Sequence, residues 1–144
     1  MKVVIGSDHG AYDLKEELKA ALTRQGVELH DVGCHGRESV DYPVYAHQVA
    51  RLVEEEKFER GILLCGTGLG MSMAANRHRG VRAAVCGDCF SAEMARAHND
   101  ANVLCLGARV VGPGLALKIA SIFLEGTFDG GRHVARVAQI NEAP

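Results

Sequence analysis

The chain has 144 residues, 47% apolar and 24% charged, with a formal charge of −2. This balance excludes intrinsic disorder and a generally basic nucleic-acid binder, and the length suits one domain that buries roughly 68% of its unfolded surface. Five cysteines, an odd number in a domain too large to need disulfide staples, and the lack of any apolar run near about 18 residues point to a reducing cytoplasm with no membrane partner.

Val3-Val4-Ile5 reads as a buried strand ending in the polar Gly6-Ser7-Asp8-His9. Leu14, Leu18, Ala21 and Leu22 share one helical face, and Gln25-Gly26 ends that helix. Residues 27–32 form a second strand. Gly33 to Asp41 is a polar loop, and Pro43 suits the first turn of a helix carrying Tyr45, Val49, Leu52 and Val53. Residues 61–65 are the clearest buried strand, followed by Gly66-Thr67-Gly68-Leu69-Gly70 and a short helix through Asn76. Residues 81–85 make a fourth strand. Ser91 is the expected N-cap of a helix reaching about Asn99, and residues 103–106 make a fifth strand. Pro113 opens a helix with Leu115, Ile119, Ile122 and Phe123 on one side, and the segment from Gly126 through Gly131 breaks the chain before a last helix over 134–140. Five buried strands alternating with helices predict a single domain over 1–144. Its fold is a doubly wound, Rossmann-like three-layer α/β/α sandwich on a five-stranded parallel sheet. Ligands of such sheets bind beyond the carboxyl ends of the strands; the polar inventory is Asp8-His9, Cys65 with its glycine loop, His98-Asn99-Asp100 and Arg109, and the topology is expected to gather several of these at one edge.

Each of these features has more than one chemical meaning. The glycine loop lets backbone approach a ligand and offers N–H groups to an anion. It could also be a dinucleotide fingerprint with Asp88 as the acidic partner, although Met71 stands where that fingerprint needs its third glycine. Cys65, at a strand end facing a helix N-terminus, is either an inert core thiol or a thiol whose charged form is favoured enough for base chemistry. Cys86-Gly87-Asp88-Cys89 has CxxC spacing but lacks the second pair or flanking histidines of a zinc site. His98-Asn99 suits a helix C-cap. Arg132 and Arg136, one turn apart with His133 alongside, form either a solvated face or a clamp for phosphate or carboxylate.

Together these segments resemble the ribose-5-phosphate isomerase B family, which includes galactose-6-phosphate isomerase subunits. The resemblance rests on Gly6-Ser7-Asp8-His9-Gly10, Asp41-Tyr42-Pro43, residues 62–70, Ala74-Ala75-Asn76, Gly80-Val81-Arg82-Ala83, residues 98–103, residues 107–112 and Gly130-Gly131-Arg132-His133, in that order. It implies a metal-free, cofactor-free interconversion of aldose and ketose phosphates through a cis-enediolate. Cys65 would be the base, as Met71 occupies the place where another branch of the family carries a glutamate. It further implies oxyanion stabilisation by the backbone of Gly66, Thr67, Gly68, Leu69 and Gly70, proton movement by Thr67, and ring opening by His98. Asp8, His9 and Tyr42 would hold the sugar, and Asn99, Arg109, Arg132 and Arg136 would bind the substrate, the arginines largely at its phosphate. Finally, it implies a homodimer, in some members paired into a tetramer, with the C-terminal helix reaching a partner and each site built from both chains. A six-carbon sugar phosphate is the alternative substrate, and a Rossmann-type nucleotide-binding module the alternative of another class.

Overall fold

In the computed structural model, which describes residues 1–142, the elements alternate as the sequence predicts. They are β1 (Lys2–Ser7), a 3-10 turn (His9–Ala11), α1 (Tyr12–Arg24), β2 (Glu28–Asp31), α2 (Tyr42–Glu54), β3 (Arg60–Cys65), α3 (Leu69–Ala75), β4 (Ala83–Val85), α4 (Cys89–Ala97), β5 (Val103–Gly107), α5 (Pro113–Glu125) and α6 (His133–Asn141). The last two positions of the expected 1–144 domain lie outside the described residues. All strand pairs are parallel, in the order β2-β1-β3-β5-β4.

Because successive side chains of a strand point to opposite faces, each central strand feeds two cores. Val3, Ile5, Ile62, Leu64, Leu104 and Leu106 pack with Leu14, Leu18, Leu22, Ile119 and Phe123 of α1 and α5. Val4, Leu63, Cys65, Val103 and Cys105 face Ala46, Val49, Val53, Met71 and Ala75 of α2 and α3. The helices that follow β1 and β3 therefore leave on opposite faces. The crevice between the carboxyl ends of these two strands is the topological switch point, where sheets of this type bind ligands.

Several boundaries differ from expectation. Strand β2 is shorter than 27–32 because the Val27 N–H still bonds the Leu22 carbonyl behind left-handed Gly26 (φ 86°). Strand β4 loses residues 81 and 82, since Val81 closes a turn onto the His78 carbonyl and the Arg82 N–H is taken by Asn102 Oδ1 at 2.8 Å. The cap of α4 is Asp88, not Ser91: its carboxylate accepts from the Ser91 N–H at 2.7 Å and the Ser91 hydroxyl at 2.8 Å. In α5 the core face is Ala116, Ile119, Ala120, Phe123 and Leu124, and Leu115 is exposed. No helix among the described residues is long and apolar enough to cross a membrane.

Candidate active site

At the switch point, β1 delivers Asp8 and His9. The Asp8 N–H bonds the Leu64 carbonyl of β3, and its Oδ1 caps the 3-10 turn by accepting from the Ala11 N–H at 3.2 Å. Its carboxylate makes no other hydrogen bond among the described residues. His9 Nδ1 accepts the Val40 N–H at 3.1 Å. Beside them β3 ends in Cys65, whose buried Sγ accepts the Gly68 N–H at 3.1 Å. The loop thereby aims a backbone N–H at the sulfur. Helix α3 has only seven residues, so this local donor, more than a long helix dipole, is what the loop supplies to the thiol.

The glycines of this loop answer specific geometric demands. Gly68 has φ 80°, a left-handed conformation, and a Cβ there would stand 3.1 Å from the Leu106 carbonyl carbon. A Cβ at Gly70 would lie 2.5 Å from the Tyr42 ring, so Tyr42 at the start of α2 rests directly against the loop. From the other side β5 holds the loop in place. Ala108 and Arg109 donate backbone bonds to the Cys65 and Gly66 carbonyls at 2.8 and 3.0 Å, and the Arg109 side chain runs past Gly66. Thr67 is exposed, with Oγ1 accepting from the Leu69 N–H at 3.3 Å. Asp8, His9, Tyr42, Cys65, the loop 66–70 and Arg109 thus form one cluster at the carboxyl edge.

Within one chain His98, Asn99, Arg132 and Arg136 do not join it. In a parallel sheet a helix returns the chain to the amino edge, and His98 caps the end of α4. The Asn102 carbonyl accepts from the Gly61 N–H near the start of β3, and four residue rises, about 13 Å of strand, separate Gly61 from Cys65. Helix α6 lies over this same amino edge. The His98 and His133 rings stack 4.3 Å apart, Asp129 N–H bonds the Ala97 carbonyl, and Arg82 Nη1 reaches Asn141 Oδ1 at 3.2 Å. Arg132 and Arg136 are exposed, and no ion pair engages them among the described residues. Burial, His98 and these two arginines push the His133 imidazole below its ordinary pKa. Asn99 also lines a cavity of about 570 Å³ with Arg77, Arg79 and Arg82.

His98, Asp129 and His133 place donor atoms within 4.8 Å of one another. Their geometry does not suit a shared metal. Imidazole binds an ion in its ring plane, and these planes are nearly parallel (12°) and stacked, beside two arginines. Asp88 is equally unsuited to a dinucleotide ribose, being engaged as the α4 cap. The CxxC cysteines are free, and burial raises the Cys86 thiol to about 11. Burial likewise pushes Cys105, which lies behind Cys65 on the same face, well up.

Sequence reasoning missed the framework behind the carboxyl-edge cluster. Lys15 is fully buried, with Nζ 2.8 and 2.6 Å from the Asp31 carboxylate and 2.8 Å from the Cys34 carbonyl. The available signal was a lysine in step with Leu18 and Leu22 on the apolar face of α1. A second chain of contacts, Glu54–His78–His47, ties α2 to the segment after α3 at 3.0 and 2.9 Å.

A doubly wound sheet with a thiol, a glycine loop and an Asp-His pair at its switch point has the build of an α/β protein with a polar ligand crevice. The chain belongs to the Ribose/Galactose Isomerase family, whose model matches residues 3–140. It is 48% identical over 139 residues to ribose-5-phosphate isomerase B of Escherichia coli, covering 96% of this chain and 93% of that protein. Ribose-5-phosphate isomerase B of Clostridium thermocellum superimposes with a TM-score of 0.96 at 53% identity, covering 98% of this chain and 95% of the other. The D-erythrulose-4-phosphate isomerase of Pectobacterium atrosepticum is 41% identical, with 97% and 93% covered.

Proposed function

We propose that this isomerase interconverts ribose 5-phosphate and ribulose 5-phosphate in the pentose phosphate pathway of the cytoplasm, without metal or cofactor. The observation that carries the proposal is the Cys65 thiol at the switch point, held under the Gly68 N–H at 3.1 Å. The Cys65 thiolate removes the C2 proton of the open-chain aldose, and the electron pair forms the C1–C2 double bond as charge moves onto O1. Backbone N–H groups of residues 66–70 stabilise that charge. Thr67 carries a proton from O2 to O1, Cys65 returns its proton to C1, and the ketose results. Asp8 and His9 hold sugar hydroxyls against the Tyr42 wall, and Arg109 reaches the substrate from β5. Names and coverage of the relatives support the pentose, while the four-carbon relative shows that such a scaffold serves another ketose phosphate.

The two residue groups at opposite edges favour a homodimer in which the amino edge of one chain completes the carboxyl edge of the other. His98 would then open the furanose ring in the partner's site. Asn99, Arg132 and Arg136 would hold the substrate there, the arginines clamping its phosphate. Exposed Leu69, Met73, Phe90, Val110 and Val134 supply apolar surface for such an assembly. A complementation experiment tests both points. Cys65→Ala and His98→Asn should each lose most turnover of ribose 5-phosphate. Equal amounts unfolded and refolded together should recover about a quarter of wild-type activity, as half the dimers carry one intact site. No recovery refutes shared sites, and full activity of Cys65→Ala refutes the base. Higher kcat/KM for allose 6-phosphate or D-erythrulose 4-phosphate would overturn the substrate.

A further inference from the structure

The orientation of His9 is set from outside the site. The Val40 backbone N–H, in the loop between β2 and α2, points at His9 Nδ1 across 3.1 Å. A backbone amide donates and cannot accept, so this bond requires an unprotonated Nδ1 and leaves the ring hydrogen to Nε2. The loop that delivers this amide is itself held fast. Lys15 grips Asp31 and the Cys34 carbonyl, and Asp31 Oδ1 also accepts the Gly33 N–H at 2.8 Å. Ser7, next to the Asp8-His9 pair, exchanges backbone bonds with Gly33 and Cys34 at 2.7 and 2.8 Å. One end of the loop is therefore locked to β1 and the other to the His9 ring.

We propose that the Val40 amide is a positioning group that fixes the tautomer of His9, making it an Nε2–H donor to a substrate oxygen and barring it from acting as a base through Nδ1. Beside it Asp8 is acceptor-only as the carboxylate, so the two neighbours offer opposite hydrogen-bonding characters to one substrate. The role toward substrate rests on the function proposed above, whereas the tautomer does not.

Two measurements separate these. Long-range proton–nitrogen correlation spectra of histidine-labelled protein, with His9 assigned by its loss in His9→Gln, should show an unprotonated Nδ1 and a protonated Nε2 at neutral pH. The reverse tautomer, or hydrogens on both nitrogens, overturns the proposal whatever the enzyme catalyses. In folded Val40→Pro, which lacks the amide hydrogen, both His9 tautomers should become populated. Persistence of Nε2–H alone would remove Val40 from the role. For the substrate, His9→Gln places an amide N–H near the Nε2 position and His9→Asn only near Nδ1. The Gln variant should keep at least about tenfold more kcat/KM for ribose 5-phosphate than the Asn variant. Equal losses, with the tautomer confirmed, overturn the donor role. If wild type turns over no sugar phosphate, the functional proposal fails while the spectra still decide the tautomer.

Discussion

Asp31→Ala should destabilise the protein more than Lys15→Met, although the two residues are partners in one ion pair. The Lys15 side chain is 0% exposed and that of Asp31 is 13% exposed. Removing the carboxylate leaves a buried ammonium with the Cys34 carbonyl at 2.8 Å, the half-exposed Glu16 at 3.5 Å and the Tyr12 ring centroid at 5.6 Å. Stranding a buried charge in this way costs about 3–5 kcal/mol. Removing the ammonium instead leaves Asp31 with Lys19 at 2.6 Å and the Gly33 N–H at 2.8 Å. Methionine fills much of the lysine volume and needs no counter-charge, so the main loss is the partner of the Cys34 carbonyl, about 1–3 kcal/mol. For a chain of this size these figures correspond to Tm falls of roughly 6–20 °C for Asp31→Ala and 2–12 °C for Lys15→Met. Urea unfolding followed by circular dichroism gives the difference directly. A Lys15→Met loss equal to or greater than that of Asp31→Ala would refute the idea that the stranded ammonium dominates.

Acid should expose the same pair. Lys15 and Lys19 outweigh the burial that opposes them and hold the Asp31 carboxyl below its ordinary 3.8. This stabilisation is present above 3.8 and disappears as pH falls from there through the folded-state pKa, so the Tm of wild type should drop more steeply in that range than that of Asp31→Asn. Gly70→Ala drives a methyl to 2.5 Å from the Tyr42 ring and should cut kcat/KM at least about tenfold, with partial recovery in the Tyr42→Ala double mutant. Asp88→Ala should lower stability by about 1 kcal/mol through loss of the α4 cap and leave KM for the sugar phosphate unchanged. A large change in KM would place Asp88 in the site.

The sequence made β3 and its loop legible because a buried apolar run ending in spaced glycines has few other interpretations. Cys65 was singled out for the same reason: its place at the strand end, and not its residue type, set it apart. The place of His98 and Asn99 at the amino edge follows from topology alone, since any residue closing a helix in a parallel sheet returns to that edge. The strand order β2-β1-β3-β5-β4, which locates the switch point, could not be read from local pattern, because β-strand alternation carries no information about neighbours in space. The Asp88 cap was missed because Ser91 is an equally good cap residue, and only the backbone geometry chose between them. Likewise the Val40–His9 bond joins positions 31 residues apart through a backbone amide, which leaves no mark on side-chain identity.

The alternation along β3 puts Leu64 on the α1/α5 side and Cys65 on the α2/α3 side, at the last position before the loop. Counting is therefore as consequential there as chemistry. One residue inserted or deleted between Arg60 and Cys65 would swing the sulfur to the opposite side of the sheet, or draw it down from the rim. No substitution elsewhere in the strand could restore it, so insertions in this lineage should collect in the turns and spare the six residues of β3.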